Sequence, residues 1–228
     1  MLARVQAAGV LRVAVDPSFT PFETVTEQGQ LAGFDIDLAQ NIAFALGVDV
    51  HFVTTNYDAL YDALTVGRAD IIISALYPDP SRTSSFTYST SYFNAGDVLL
   101  VSKNSSVAGL ETLGGQRVAC IYGTAGHMAV LKMQHTLTPK PIVITANTPH
   151  TLTNALAVGN VDAVILDHVT ALAAEAGTPA IHILPVIITD EPYVVAARIE
   201  DETLMNAIDT ILTQMHADGS MQHLIDKW

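Results

Sequence analysis

Residues 60–70 read LYDALTVGRAD and residues 152–162 read LTNALAVGNVD, with six of the eleven positions identical at an offset of 92 residues. Each copy has apolar residues at helical spacing, then a glycine that can end a helix, then an aspartate. This pattern predicts a helix followed by a buried strand in both places. We interpret the repeat as two α/β units of similar plan. Chance is the alternative, because any helix that ends at glycine before a buried strand reproduces part of the match.

The residues on either side of the first copy extend this alternation of strands and helices. The run Leu11–Val15 predicts a strand, and apolar positions at helical spacing predict a helix over residues 34–46. Val50–Thr54 predicts a second strand, Asn56 a cap for the helix of the repeat, and Asp70–Leu76 a third strand. Strands that alternate with helices form mainly parallel sheets. The sequence therefore predicts the α/β class, with a mainly parallel sheet flanked by helices in each unit.

Extended runs mark where the chain passes between the two units. One lies near residues 94–102 and the other at Tyr193–Ala197. We therefore assign residues 1–96 and 194–228 to a first, discontinuous lobe and residues 97–193 to a second lobe. Two crossing strands would join the lobes as a hinge.

Composition excludes several classes of protein. Half of the 228 residues are apolar, so the chain has ample material for a core and is not disordered as a whole. Lys and Arg number 10 against 23 Asp and Glu, and a net charge of −13 argues against nucleic acid and anionic membranes as partners. The longest apolar runs fall far short of the roughly 18–20 residues of a membrane helix. The single cysteine, Cys120, excludes an intrachain disulfide and is expected to be a buried, inert thiol.

Common enzyme motifs are absent from the sequence. It contains no G-x-G-x-x-G after the first strand, no G-x-x-x-x-G-K-[ST], no G-x-S-x-G and no H-E-x-x-H. The eight histidines show no close ligand spacing. We therefore expect no catalytic residues, no cofactor and no metal.

Polar and aromatic residues follow the predicted strands of the first lobe, at the sheet edge where α/β proteins bind ligands. The segment Asp16–Phe22 comes directly after the first strand, although a turn with a hydrophobic plug would look the same. After the third strand, Asp79 can cap a helix that Pro80 opens, which puts Arg82 in the first turn. Arg is unfavourable at that end of a helix dipole, and recognition of a carboxylate would explain it. A surface Arg is the alternative.

The second lobe has two comparable positions. Residues 122–126, YGTAG, follow the strand 118–121 and present backbone N–H groups suited to a small anion, although any strand-to-helix turn uses glycine. Asp167 ends the predicted strand 161–166, where its carboxylate could receive an ammonium group. A plain helix cap is the alternative for Asp167 and needs no ligand.

The stretch Gly33–Leu38, GFDIDL, continued by apolar positions in the same helix, resembles the signature of the family 3 extracellular solute-binding proteins. These are the amino-acid receptors of ABC importers. The resemblance runs nearly end to end, and its other motifs are the residue 16–22 opening, Arg82 before residues 86–89, the Gly123-Thr124 turn, residues 162–167 and the ending at residues 219–228. By its own chemistry Asp35 is expected to be only an N-cap, so the signature marks the fold and not the site.

The resemblance implies a two-lobed fold of the type II periplasmic binding proteins, which closes about its hinge on one free amino acid. It implies a periplasmic or extracellular location and a membrane permease as partner, without insertion into the membrane. A polar or cationic amino acid is slightly favoured as the ligand.

The resemblance also implies which residues bind the charged ends of the amino acid. Arg82 would hold the α-carboxylate with help from Thr124 and Ala125, and Asp167 would hold the α-ammonium. An Arg from one lobe and an Asp from the other would then favour closure only when the ligand bridges both.

Five further residues would complete the site by the same resemblance. Phe19 and Tyr57 would form aromatic walls, Asp16 would face the ligand side chain, and Ala75 would offer its backbone carbonyl. Tyr77 stands where relatives commonly place Ser or Thr against the ammonium, so that contact is absent or is made by a phenol.

Two other functions fit the same fold. The lobes could form the exported ligand-sensing domain of a signalling receptor. Some relatives of this fold became dehydratases of aromatic amino-acid precursors, which requires a cleft acid of raised pKa. Asp16 and Asp167 are the cleft carboxylates identified from the sequence, and both have binding roles, so we disfavour an enzyme.

Overall fold

The computed structural model describes residues 1–228. Its strands are, in chain order, β1 Val10–Val15, β2 Ser18–Phe19, β3 Glu23–Val25, β4 Leu31–Ala32, β5 Asp49–Thr54, β6 Ile71–Ile72, β7 Phe86–Tyr88, β8 Phe93–Asn94, β9 Asp97–Ser102, β10 Arg117–Ile121, β11 Ile142–Ala146, β12 Ala163–Asp167, β13 Ile181–Ile187, β14 Pro192–Tyr193 and β15 Ala196–Arg198. The α-helices are α1 Leu2–Ala8, α2 Phe34–Leu46, α3 Leu60–Thr65, α4 Ala125–Thr136, α5 Pro149–Ala157, α6 His168–Gly177, α7 Glu202–Asp218 and α8 Ser220–Lys227. None of these helices combines the length and the apolar composition that crossing a bilayer requires.

The chain divides into two compact units. Unit 1 comprises Met1–Phe93 and Pro192–Trp228, and unit 2 comprises Asn94–Glu191. The chain thus leaves unit 1 once and returns to it once. From the sequence we had placed these crossings after residues 96 and 193.

The two units contain sheets of the same design. The strand order is β5-β1-β6-β15-β7 in unit 1 and β11-β10-β12-β9-β13 in unit 2. In each sheet the first three strands are parallel and the fourth is antiparallel to both of its neighbours. The prediction of the α/β class with mainly parallel sheets is confirmed. The repeat read from the sequence corresponds to this shared topology.

An arginine–aspartate pair joins the first strand to the repeat segment in each unit. The backbone N–H and Nε of Arg12 both donate to Oδ2 of Asp70 at 3.0 Å, and Nη2 donates to Oδ1 at 2.7 Å. Arg117 binds Asp162 through the same atoms at 2.8, 3.0 and 2.7 Å. Each guanidinium also donates to the backbone carbonyl of the glycine in the repeat, Gly67 for Arg12 and Gly159 for Arg117. The repeated aspartate and glycine are therefore the two acceptors of one arginine.

Apolar faces of the repeat helices cover the sheets. Leu60 and Leu64 pack against β1 and β6 in unit 1, and Leu152 and Leu156 pack against β10 and β12 in unit 2. Burying one leucine side chain contributes about 1.5–3 kcal/mol. Cys120 lies in the unit 2 core, where burial raises the pKa of its thiol to about 11, so the prediction of a buried, inert thiol is confirmed.

The strand predicted over Asp70–Leu76 is much shorter in the structure. Only Ile71–Ile72 forms β6, although the Ile73 N–H still donates to Ala14 O at 3.3 Å. The ladder does not continue past Ile73, and two residues later Ala75 has a φ of +43°, the only positive value at a non-glycine residue. A run of apolar residues indicates that the residues are buried, and residues 70–76 are indeed buried. After Ile73, however, the backbone leaves the sheet.

Two predicted N-caps are wrong. Asn56 makes no side-chain cap bond, and a 3₁₀ turn over Tyr57–Ala59 precedes α3 instead. The cap of α2 is Gly33, whose φ is +140° and whose Cβ, if present, would lie 2.1 Å from a backbone oxygen. Asp35 is therefore the second helical residue, and its side chain is wholly buried. The cause is the close approach of the preceding chain, which only glycine permits.

Candidate functional site

A cavity of about 290 Å³ lies in unit 1, beside the carboxyl end of β1 and the segment after β6. This is the edge at which open α/β sheets bind ligands. The residues that line it are Asp16, Ser18, Phe19, Glu23, Tyr57, Ser74, Ala75, Tyr77 and Tyr193. Five of them are residues that we had named from the sequence: Asp16, Phe19, Tyr57, Ala75 and Tyr77.

Asp16 is held at the cavity by contacts with two other segments. Its Oδ2 accepts a hydrogen bond from the Tyr57 N–H at 2.9 Å, so Asp16 caps this turn in place of Asn56. The Asp16 N–H donates to Oγ of Ser74 at 3.0 Å. A carboxylate that is partly exposed and fixed in place is a suitable partner for a cation.

Three aromatic rings form the open part of the cavity. Phe19, Tyr57 and Tyr77 are 46%, 44% and 43% exposed, which is unusual for large rings that lie together. Phe19 stacks on Phe22 with ring centroids 5.7 Å apart, and Tyr77 meets Tyr193 edge to face at 5.0 Å. Phe19 and Tyr77 are thus each packed against another aromatic ring. Aromatic faces beside a carboxylate attract cationic groups.

Two buried carboxyl groups belong to this region, Glu23 in the cavity lining and Asp35 next to Glu23, and sequence reasoning missed both. Glu23 is 1% exposed and Asp35 is fully buried, and the two side chains interact directly. Ser74 Oγ donates to Glu23 Oε1 at 2.8 Å, and the Ala75 N–H donates to Asp35 Oδ2 at 2.6 Å. Tyr92 also donates to Asp35 Oδ2, at 3.1 Å. The only available signal was the position of Glu23 next to Phe22, inside the segment that we had read as a hydrophobic plug.

Burial raises the pKa of both acids. Burial, and then the negative charge of Asp35, raise the pKa of Glu23 to about 10. Burial also raises the pKa of Asp35, although its hydrogen bonds oppose this change. Two carboxyl groups in contact cannot both be ionised, so the pair holds a proton at neutral pH. The cavity therefore contains a protonated acid in addition to the carboxylate of Asp16.

Arg82 lies beside this cavity but does not line it. It ends a 3₁₀ turn over Pro80–Arg82 and lines a neighbouring cavity of about 370 Å³, which shares two tyrosines with the first. Its Nε donates to Asp79 Oδ2 at 3.0 Å, and its guanidinium lies 4.5 Å from the ring centroid of Tyr61. From the sequence we expect no local contact to explain an Arg at this position, and this expectation is wrong, because Arg82 has these two partners. Its predicted contact with a carboxylate stays a prediction.

The turn that contains Arg82 begins as the sequence predicted. Asp79 accepts a hydrogen bond from the Ser81 N–H at 2.9 Å, and Pro80 follows the cap directly. The expected α-helix does not form, and the turn closes after three residues. Hydrogen bonds from Ser81, and then from Arg82, lower the pKa of Asp79.

The predicted residues Thr124 and Ala125 lie in unit 2, at the start of α4. Thr124 is the N-cap, and its Oγ accepts from the His127 N–H at 3.3 Å. The N–H of Gly123, one of the groups expected to bind an anion, donates to Nδ1 of His127 at 3.2 Å. Ala125 lines a unit 2 cavity of about 540 Å³ together with Met128 and other α4 residues. Their predicted role toward a carboxylate stays a prediction.

Asp167 ends β12 in unit 2 and begins α6. Its Oδ1 accepts from the Thr170 N–H at 2.9 Å, so it is a helix cap. The side chain is exposed, and capping uses only one of its two oxygens. Its predicted contact with an ammonium group also stays a prediction. Of the nine predicted residues, six lie in unit 1 and three in unit 2.

Comparisons with known proteins agree on one family. The model of the bacterial extracellular solute-binding proteins, family 3, matches residues 11–228. The histidine-binding periplasmic protein of Escherichia coli strain K12 is 29% identical over 228 residues, covering 96% of this chain and 86% of that protein. The L-cystine-binding protein of the same strain is 26% identical, covering 100% of this chain and 85% of that protein.

Solved structures give two further similarities. A variant of an ancestral cyclohexadienyl dehydratase has a TM-score of 0.86 at 27% identity, covering 100% of this chain and 95% of that one. An ancestral arginine-binding protein bound to arginine has a TM-score of 0.57 at 33% identity, covering 96% of this chain and 98% of that one.

Proposed function

The chain belongs to family 3 of the bacterial extracellular solute-binding proteins, and from this premise we propose that it binds a free amino acid, without changing it chemically, for a membrane permease of an ABC importer. Membership of this family is in line with the α/β architecture of the type II periplasmic binding proteins. We place its action in the periplasm or at the outer face of the cell membrane. Relatives named for binding histidine, L-cystine and arginine support an amino acid as the ligand.

The unit 1 cavity is the observation that carries this proposal, and it favours a cationic side chain. The Asp16 side chain lines the same cavity as the aromatic rings of Phe19, Tyr57 and Tyr77. Carboxylates bind cations by charge, and aromatic faces add cation–π attraction. The net charge of −13 also raises the local concentration of cations near the surface. The cavity therefore suits an amino acid with a cationic side chain, and L-arginine is the one that we would test first.

Arg82, Thr124, Ala125 and Asp167 are the groups that we propose for the charged ends of the amino acid. The contact of Arg82 with Asp79 uses Nε, which leaves the two terminal amino groups of the guanidinium to receive a carboxylate. Asp167 keeps one oxygen outside its helix cap for an ammonium group. Each group can therefore keep its structural contact while it binds a ligand.

A thermal-shift panel tests the proposal. We would use the twenty common amino acids with ornithine and citrulline, because a ligand at 100 times its Kd adds about 2.7 kcal/mol of stability. We expect L-arginine and ornithine to raise Tm most, and citrulline, the neutral isostere of arginine, to raise it much less. No response from any amino acid would contradict the proposal. A response confined to uncharged amino acids would contradict only the preference for a cation.

A dehydratase activity is the alternative that the structural similarity to the ancestral cyclohexadienyl dehydratase raises. Such chemistry needs an acid that gives its proton to a leaving group. Glu23 is the protonated acid at the cavity, but its hydrogen bonds go to Ser74 and Asp35. We therefore favour binding. Incubation with a cyclohexadienyl acid should leave it unchanged over hours, and release of water with an aromatic product would contradict this view. The sensor-domain alternative shares the same binding step.

A further inference from the structure

Hydrogen bonds connect three groups of the unit 1 cavity to one buried pair of acids, two of them directly and one through Ser74. The Asp16 N–H donates to Ser74 Oγ, and Ser74 Oγ donates to Glu23 Oε1. The Ala75 N–H donates to Asp35 Oδ2. The segments after β1 and after β6, which supply Asp16 and Ala75 to the cavity, are therefore held from behind by Glu23 and Asp35.

We propose that Glu23 and Asp35 share one proton and act as the positioning pair of the ligand site, fixing the Ser74-Ala75 segment and the backbone of Asp16 in the arrangement that receives an amino acid. This inference rests on the proposed function. Asp35 is wholly buried and Glu23, although it lines the cavity, is only 1% exposed, so we expect both to act through the segments that they hold.

The hydrogen-bond inventory of the pair requires one proton. Glu23 Oε2 and Asp35 Oδ1 are buried and receive no hydrogen bond from any N–H or O–H group of the protein. A proton between the two carboxyl groups satisfies both oxygens at once. Without it, two negative charges would lie in contact away from water, at a high cost in free energy.

No cation near the pair offers a different way to balance its charge. Glu23 and Asp35 interact electrostatically with each other, with Asp16 and with the phenols of Tyr57 and Tyr92. All of these groups are acidic or neutral. The pair therefore carries a single negative charge, which the Ala75 N–H and the Tyr92 hydroxyl stabilise.

The backbone of Ala75 shows that the pair imposes a conformation. A φ of +43° is unfavourable for an alanine and persists only where the surroundings enforce it. The 2.6 Å hydrogen bond from the Ala75 N–H to Asp35 is the contact that does so. Loss of this contact should let the Ser74-Ala75 segment relax away from the cavity.

The test compares Glu23→Gln, Glu23→Leu and Asp35→Ala with a control, Asp70→Asn, which alters an equally buried acid whose partners are Arg4 and Arg12. Three quantities are measured at pH 7. Infrared spectroscopy detects the carbonyl band of a protonated carboxylic acid, hydrogen exchange follows the Ala75 amide, and calorimetry gives the Kd for L-arginine. The first two measurements need no ligand.

We expect the acid band in the wild type and its loss in Glu23→Gln. Gln keeps a neutral donor, so the Kd should stay within about threefold of wild type, whereas Glu23→Leu should raise it about tenfold or more and speed exchange at Ala75. Asp70→Asn should change neither the Kd nor the exchange rate of the Ala75 amide. Absence of the acid band in the wild type would overturn the shared proton. Unchanged exchange and Kd in Glu23→Leu would overturn the positioning role; if the leucine variant does not fold, Asp35→Ala takes its place, because alanine removes the acceptor of the Ala75 N–H whereas Asn keeps it.

Failure of the proposed function gives a different result. If wild-type protein binds neither L-arginine nor any other amino acid of the panel, the assignment of the ligand is wrong. The infrared band and the exchange rate of Ala75 then still decide whether the pair holds its proton and fixes the segment.

Discussion

Asp16 is the side chain whose replacement tests the choice of ligand most directly. Asp16→Asn removes the charge, but the amide oxygen can still accept from the Tyr57 N–H, so the fold of the turn should survive. We expect the affinity for L-arginine to fall about tenfold or more, because a hydrogen bond to a charged group contributes roughly 1.5–3 kcal/mol. The affinity for citrulline should change much less. Calorimetry with both ligands measures this difference.

Asp49→Asn is the matched control for that substitution, because it removes one negative charge from an exposed position at the start of β5. It should leave both affinities unchanged. If Asp16→Asn weakens arginine and citrulline equally, the carboxylate of Asp16 does not recognise a cation.

Arg82 has a structural and a proposed binding role, and a pair of variants separates them. Arg82→Ala removes the guanidinium and should weaken amino-acid binding about ten- to 150-fold. Asp79→Asn removes only the charge that pairs with Arg82, so affinity should stay within about threefold of wild type. Titration calorimetry gives both values. An unchanged Kd in Arg82→Ala would remove Arg82 from the site.

Asp167 can be tested without loss of its helix cap. In Asp167→Asn the side-chain oxygen can still accept from the Thr170 N–H, so Tm should change little. If Asp167 binds the α-ammonium, affinity for amino acids should fall about tenfold or more, while analogues without that group should bind as before. Equal weakening of both kinds of ligand would show that Asp167 is only a cap.

The sequence predicts exposed site residues better than buried ones. Asp16 and Phe19 could be named because they follow the end of a strand, where ligands bind, Tyr57 was implied by the family resemblance, and all three line one cavity. Glu23 and Asp35 could not, because a buried acid is recognisable only from its partners, and these are distant in sequence. For the same reason the partners of Arg82 escaped notice, since Tyr61 comes from a different element.

At the scale of secondary-structure elements, the repeat was the most informative part of the sequence. The pattern of apolar residues located α2 and β10 within a residue or so. It failed at β6, where continuous burial hides a change of backbone direction at Ala75. A pattern of apolar residues reports which residues are buried, but hydrogen bonds decide where a strand ends.

The two arginine–aspartate pairs of the repeat should differ in their contribution to stability. The Asp70 side chain is 3% exposed and binds both Arg4 and Arg12, whereas Asp162 is 29% exposed and binds one arginine. Burial acts to raise the pKa of Asp70, but hydrogen bonds from Arg12 outweigh it and lower the pKa overall. We expect Asp70→Asn to cost about 2–3 kcal/mol and Asp162→Asn about 0.5–1 kcal/mol.

Urea denaturation, monitored by circular dichroism, measures both losses. The comparison is well matched, because the two pairs use the same donor atoms in the same strand–helix arrangement. Equal losses would mean that burial does not set the strength of these pairs.

At the scale of the whole molecule, one sheet design serves two units, and their charge is strongly negative. The design could be predicted, because each strand–helix repeat carries the same glycine and aspartate signals. The position of charge inside the molecule could not, since most of the 23 acidic residues look alike in sequence. Only the structure distinguishes the buried Glu23 and Asp35 from the other acidic residues, most of which are exposed to solvent. The burial of this pair makes the folding stability depend on pH.

The wild-type protein should lose folding stability as pH rises through the neutral range. The pKa of Glu23 is raised from 4.5 to about 10 on folding, so between these values the unfolded chain releases a proton that the folded pair keeps. A raised folded-state pKa gives stability that is complete below the unfolded pKa and is lost as pH rises toward the folded one. The loss is at most about 1.4 kcal/mol per pH unit for one proton.

Glu23→Gln isolates this effect from the general repulsion of a chain with a net charge of −13. Because Gln does not titrate, the variant should gain on the wild type steadily from pH 5 to pH 9 in urea denaturation. Glu27→Gln, an exposed glutamate between β3 and β4, should follow the wild-type profile. Parallel profiles for wild type and Glu23→Gln would mean that Glu23 is ionised in the folded protein. In that case the raised pKa, and the proton that we place between Glu23 and Asp35, would both be wrong.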